Sequence, residues 1–227
     1  MSQKFTILFD LDGTLVNTAP DLMHAHNHVM KKYGYDERKL SDIKKLAGRG
    51  SKVMLTRSMH EIAELSGKIK KTDDVVEKMT KEFIDFYSKN IVKESTLKNG
   101  AFEFLTWCKK KSISMAVCTN KQEHLSIDLL KKIKIHHFFD YVAGGNTFNH
   151  NKPNPKHLTD TIEILGGNKN KTIMIGDSET DSNAAKSANI PFILLEDGYT
   201  EKRINEIHHD HLAKDFVGME KIIEKYL

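Results

Sequence analysis

An apolar run near the N-terminus ends in Phe9-Asp10-Leu11-Asp12-Gly13-Thr14-Leu15. Two carboxylates at i and i+2, with a glycine that permits a sharp turn, can hold Mg²⁺ or divide acid, base and nucleophile roles. The same residues also suit a turn with a solvated acid, or part of a calcium loop. Three further stretches end in complementary chemistry. Ser114-Met115-Ala116-Val117-Cys118 closes in Thr119-Asn120-Lys121, where a hydroxyl, an amide and backbone N–H groups can grip phosphate oxygens. A helix N-cap at Thr119 or Asn120 is the plainer use. Lys152 precedes Pro153-Asn154-Pro155, a rigid loop from which an ammonium can neutralise a phosphoryl group. Alone it reads as a solvated surface lysine. Thr172-Ile173-Met174-Ile175 leads into Gly176-Asp177-Ser178-Glu179-Thr180-Asp181. Asp177 can complete a magnesium site and Asp181 can steady it, or the two can cap and open a helix. Four such elements at run ends, in this order, point to phosphoryl chemistry.

The elements that must position them follow from the pattern. Phe5–Phe9, Ser114–Cys118, Tyr141–Ala143, Thr172–Ile175 and Phe192–Leu195 are short apolar runs, read as parallel strands buried on both faces. Helical spacing recurs between them at Phe102, Leu105 and Cys108; at Leu125, Leu129, Leu130 and Ile133; and at Leu158, Ile162 and Leu165. Pro155 opens that last helix and Gly166 stops it. This alternation predicts a doubly wound α/β parallel sheet, where ligands bind beyond the carboxyl ends of the strands.

From about Thr18 to Ile91 the alternation lapses into amphipathic helices. One has Thr18 as N-cap and Pro20 in its first turn, with Leu22, Ala25, Val29 and Tyr33 on one face. A second turns Leu55, Met59, Ile62 and Leu65 inward and closes at Gly67. A third carries Val76, Met79, Phe83, Phe86 and Tyr87. These stripes read as packing only. Residues 16–93 are therefore expected to form a helical domain inserted between residues 1–15 and 94–227.

The 227 residues are 39% hydrophobic and 29% charged, with a net charge of +4, as in a soluble globular protein. That charge is too small and dispersed to argue for nucleic acid. No apolar stretch is long enough to span a bilayer, and the N-terminus lacks a signal-peptide pattern, so a cytoplasmic monomer or homodimer is expected. Cys108 and Cys118 read as buried free thiols. His24 and His28 share a helix face without a third ligand, and His136-His137 and His208–His211 read as loops.

Asp10–Val16, Cys118–Lys121, Lys152–Pro155 and Gly176–Asp181 together resemble the four motifs of the haloacid dehalogenase superfamily, along the whole chain. The helical stretch resembles its inserted cap. The closer resemblance is to bacterial phosphoglycolate phosphatases, on Asn17-Thr18-Ala19-Pro20-Asp21-Leu22 and on Asp177-Ser178 followed by Ala184-Ala185. Asn17 departs from the more usual aspartate. The resemblance implies a Rossmann-like core and hydrolysis of a small phosphorylated metabolite, 2-phosphoglycolate first, through an aspartyl-phosphate on Asp10. Asp12 would be general acid and then base. Thr119, Asn120 and Lys152 would bind the phosphoryl group. Mg²⁺ would be held by Asp10, the carbonyl of Asp12, and Asp177, with Ser178 and Asp181 beside it. An acid at Asp12 favours phosphatase or mutase chemistry over dehalogenation.

Gly48-Arg49-Gly50-Ser51 interrupts the cap helices, so Arg49 and Gly50 are expected to help select the substrate, Arg49 by binding a carboxylate. A simple interhelix turn is the alternative. Cap closure is expected to bring Arg49 over the core, with hinges near Leu15-Val16 and Lys93-Glu94-Ser95. Rival activities are a pyrophosphatase, a sugar-phosphate phosphatase, a phosphonate hydrolase using a cap lysine, and a β-phosphoglucomutase-like isomerase. A phospho-receiver module is a different class. There Asp12 and the large insert are out of place.

Overall fold

The computed structural model describes residues 4–66 and 73–227, giving only the backbone for 62–66 and 73. The expected inward side chains Ile62 and Leu65 and the stop at Gly67 lie outside the described residues. The main sheet has six strands in the order β5-β4-β1-β6-β7-β8. These are β1 (Thr6–Phe9), β4 (Ser114–Cys118), β5 (Tyr141–Ala143), β6 (Thr172–Gly176), β7 (Phe192–Leu195) and β8 (His211–Ala213), all paired in parallel. Alternation along each strand serves two cores. Ile7, Phe9, Met115, Val117, Ile173 and Ile175 face one cluster, joined by Phe104 and Leu105 of α5 (Ala101–Lys110) and Leu125 and Leu129 of α6 (Glu123–Lys132). Leu8, Ala116, Cys118, Met174 and Leu194 face the other, joined by Leu158 and Ile162 of α7 (Lys156–Ile164) and Ala184 and Ala185 of α8 (Glu179–Ala188). The sheet is thus covered on both faces, as its continuous apolar runs require. A short α9 (Glu220–Ile223) ends the fold.

Between β1 and α5 come four helices: α1 (Ala19–Lys32), α2 (Leu40–Leu46), α3 (Ser51–Ser66) and α4 (Asp73–Lys89). α1 packs on α2 and α4, and α3 packs on α2 and α4. Leu22, Ala25, Val29, Leu55, Met59, Val76, Met79, Phe83 and Tyr87 are buried. Thr18 stands at the expected cap position, but its hydroxyl makes no capping bond. A two-stranded antiparallel ribbon, β2 (Val16–Asn17) with β3 (Thr96–Leu97), ties the two ends of this insert together. Beside it the buried Asp21 carboxylate accepts bonds from the N–H groups of Lys93, Glu94 and Ser95 and from the Ser95 hydroxyl. Both expected hinge segments lie here.

The structure corrects several details. Phe102 is 47% exposed, and α5 instead buries Ala101, Phe104, Leu105 and Cys108. The N-cap of α6 is Gln122, so neither Thr119 nor Asn120 serves as one. His136-His137 start a 3₁₀ turn, and His211 begins β8. A three-residue strand leaves no periodicity to read; β8 exists because Ile193 and Leu194 of β7 give it a partner. Both cysteines are free and buried. Among the described residues, no helix is long and apolar enough to cross a membrane.

Candidate active site

The sheet places three site segments side by side. Asp10 extends β1, its N–H bonded to the Ile175 carbonyl at 2.9 Å. Thr119 extends β4, bonded to the Ala143 carbonyl at 2.9 Å. Asp177 follows β6 directly. Lys152 enters from the loop before α7, with its side chain 1% exposed. Its ammonium lies 2.7 Å from Asp10 Oδ1 and 2.6 Å from Asp181 Oδ1. Burial opposes that charge, but the two carboxylates overcome it and hold the lysine above its ordinary value.

Asp10, Asp177 and Asp181 bring carboxylate oxygens within 4.8 Å of one another, all buried. Burial raises Asp10 to about 6; Lys152 opposes this, while the charges of Asp181 and Asp12 add to it. Burial, then the charges of Asp10 and Asp181, push Asp177 well above the carboxylate range. Crowded acids of this kind, offering only hard oxygen donors, fit a divalent cation such as Mg²⁺. Each has its own support. Asp181 Oδ2 accepts from the N–H of Asp177 and Ser178 and from the Ser178 hydroxyl, so its two oxygens are already engaged. This is also the capping box that starts α8. Asp177 is oriented by the Thr14 hydroxyl at 2.5 Å and the Tyr199 N–H at 2.6 Å. Gly13, at φ +88°, leaves room for that carboxylate; a Cβ there would lie 2.3 Å from Asp177 Oδ2.

The site opens into a pocket between sheet and cap, lined by Asp10, Asp12, Thr119, Asn120 and Lys121 below and Gly50, Met54, Phe83 and Tyr87 above. Asp12 faces Lys121, whose ammonium sits 2.9 Å from both of its oxygens. The Asn120 amide nitrogen donates to the carbonyls of Gly48 and Lys152 at 3.1 and 2.9 Å. Its side-chain donors therefore hold two loops in place. Arg49 reaches from the cap to the core helix α8. It pairs with Glu179 at 2.9 Å and does not line the pocket, whereas Gly50 does. Lys44–Asp197 at 3.0 Å and Arg57–Glu201 are further ion pairs from the cap to the core.

Lys121, Tyr87 and Tyr199 also belong to the site, and the sequence does not mark them for it. Lys121 stands inside the Cys118–Lys121 motif, but nothing there shows its partner. Tyr87 belongs to a stripe read only as packing. Tyr199 gives no local signal. Among the described residues, no cap lysine lines the pocket. No third ligand joins His24 and His28 among the described residues: His24 pairs with Glu94 and His28 stacks on Phe86.

A family model described as haloacid dehalogenase-like hydrolase matches residues 7–195. The chain belongs to the haloacid dehalogenase-like hydrolases. A phosphoglycolate phosphatase from Mesorhizobium japonicum is 34% identical over 92% of this chain and 90% of its own length. One from Agrobacterium fabrum is 34% identical over 96% of this chain and 94% of its own length. The crystal structure of a predicted phosphoglycolate phosphatase from Haemophilus somnus superposes with a TM-score of 0.91 at 29% identity, covering 98% and 99% of the two chains. Within this hydrolase family the chain is an enzyme, a phosphatase.

Proposed function

We propose that this phosphatase hydrolyses the phosphate monoester of a small acid, 2-phosphoglycolate first, by way of a phosphoryl group carried on Asp10. The observation that carries the chemistry is the buried Lys152 bridging Asp10 and Asp181, with Asp177 alongside. The names of the Mesorhizobium and Agrobacterium relatives support the substrate.

In this reading Asp10 attacks phosphorus in line. Its new O–P bond forms as the ester P–O bond breaks, and the electron pair leaves on the ester oxygen. Asp12 protonates that oxygen, then takes a proton from the water that cleaves the acyl phosphate. Lys152 and the Thr119 hydroxyl hold the phosphoryl oxygens, and Asp181 keeps Lys152 aimed. Asp10, the Asp12 carbonyl and Asp177 would hold Mg²⁺, which when bound offsets charge on the transferring group. Residues 16–93 serve as the cap, and its closure excludes water.

The test is phosphate release, with and without Mg²⁺, from 2-phosphoglycolate, pyrophosphate, several sugar phosphates and p-nitrophenyl phosphate. Preference for 2-phosphoglycolate, abolished in Asp10→Asn, is expected. Activity that survives Asp10→Asn would sink the mechanism, and a better substrate elsewhere in the panel would sink the substrate assignment.

A further inference from the structure

Two lysines flank the paired aspartates, and only one is used by the chemistry above. Lys152 serves the Asp10 side. Lys121 serves the Asp12 side, where the leaving oxygen would depart. Its side chain is 6% exposed, and its ammonium lies 4.5 Å from the centroid of the Tyr87 ring, which reaches down from α4. Tyr87 is 1% exposed, yet its hydroxyl has no hydrogen-bond partner. Leaving a buried hydroxyl unpaired costs about 1–3 kcal/mol, so an acceptor arriving in the pocket would relieve it. Leu22, Met54, Phe83 and Leu125 form apolar walls around these two donors. Such walls strengthen a charge-assisted bond and leave little room for a large leaving group. Arg49, the other candidate cation, is held by Glu179 outside this lining.

We propose that Lys121 and Tyr87 form the subsite for a carboxylate on the leaving group, so that the preferred substrates are phosphate esters of small hydroxycarboxylic acids. On binding, the Lys121 ammonium exchanges Asp12 for the substrate carboxylate, while the Tyr87 hydroxyl donates to the same group. Asp12 is thereby released to face the ester oxygen. A substrate without a carboxylate leaves Lys121 on Asp12 and so forfeits both the binding and the release. This deepens the phosphatase reading and rests on it.

The test compares kcat/KM for 2-phosphoglycolate and for 2-hydroxyethyl phosphate, its carboxylate-free counterpart, in wild type, Lys121→Met and Tyr87→Phe. Wild type is expected to favour 2-phosphoglycolate. That preference should fall roughly 100-fold in Lys121→Met and roughly 10-fold in Tyr87→Phe, the scale of losing one charged and one neutral hydrogen bond. Inhibition by glycolate should weaken at least about 10-fold in Lys121→Met, on the same reasoning, with much less change in inhibition by inorganic phosphate. Tyr87→Phe decides the matter if Lys121→Met does not fold. Equal losses on both esters, or a wild type with no preference, would overturn the subsite while leaving the phosphatase standing. Wild type inactive on both esters would overturn the phosphatase reading itself, and this inference with it.

Discussion

Replacing Lys152 with methionine keeps most of the side-chain volume but removes the ammonium shared by Asp10 and Asp181, which lie 2.7 and 2.6 Å from it. The lysine side chain is 1% exposed, so water cannot take its place. Removing one partner from a buried ion pair costs about 3–5 kcal/mol. Part of that cost is pH-dependent. Asp10 already sits at about 6, against an ordinary 3.8, with Lys152 working to lower it. Without the lysine it rises further. A carboxyl raised in the native state binds a proton there that the unfolded chain releases, so native stability grows as pH falls through the native value and is full below the unfolded one. A tenfold difference in proton affinity between the two states is worth about 1.4 kcal/mol. The gap between wild type and Lys152→Met should therefore be about 3–5 kcal/mol near pH 8 and roughly half that near pH 5.5. Urea denaturation of both proteins in a chelator at the two pH values reads it directly. A gap of the same size at both, or one below about 1 kcal/mol near pH 8, would refute the account.

Three further outcomes are expected. Asp21→Asn should lose about 1–2 kcal/mol and expose the 93–95 segment to protease, because the charge that the three N–H groups share at Oδ2 is lost and an amide NH₂ at the Oδ1 position would face the Glu94 N–H; urea denaturation and limited proteolysis check this. Gly13→Ala forces a left-handed alanine costing about 1–2 kcal/mol and drives its Cβ against Asp177. Steady-state kinetics should show kcat down by about 100-fold. Burial, with the Lys152 charge behind it, lowers His157 to about 4 from 6.5, so its contribution is full above about pH 6.5 and is lost as pH falls toward 4. Asp10 acts in the opposite sense over the same window, so the measurement is a difference: thermal unfolding should show wild type losing up to ~3 kcal/mol relative to His157→Gln as pH falls through it.

The sequence by itself determined the alternation of strand and helix, the helical insert, and the four segments that carry the site. The reason is that strands buried on both faces must be apolar throughout, and polar residues can interrupt them only at the ends. Asp10, Thr119 and Asp177 stand at those ends, so their neighbourhood follows from a parallel sheet in which β1 lies between β4 and β6. Tertiary structure alone decided the partners. Lys121 is 109 residues from Asp12, and Lys152 is 142 from Asp10, separations across which no local pattern operates. It also assigned Arg49 to Glu179, committed the Asn120 amide to two loop carbonyls, and aimed Tyr87, otherwise one more residue in an apolar stripe, into the pocket. A helical stripe records which side chains are buried, because burial sets residue type. It does not record whether such a side chain meets another helix or lines a pocket, because that choice is made by packing across the chain.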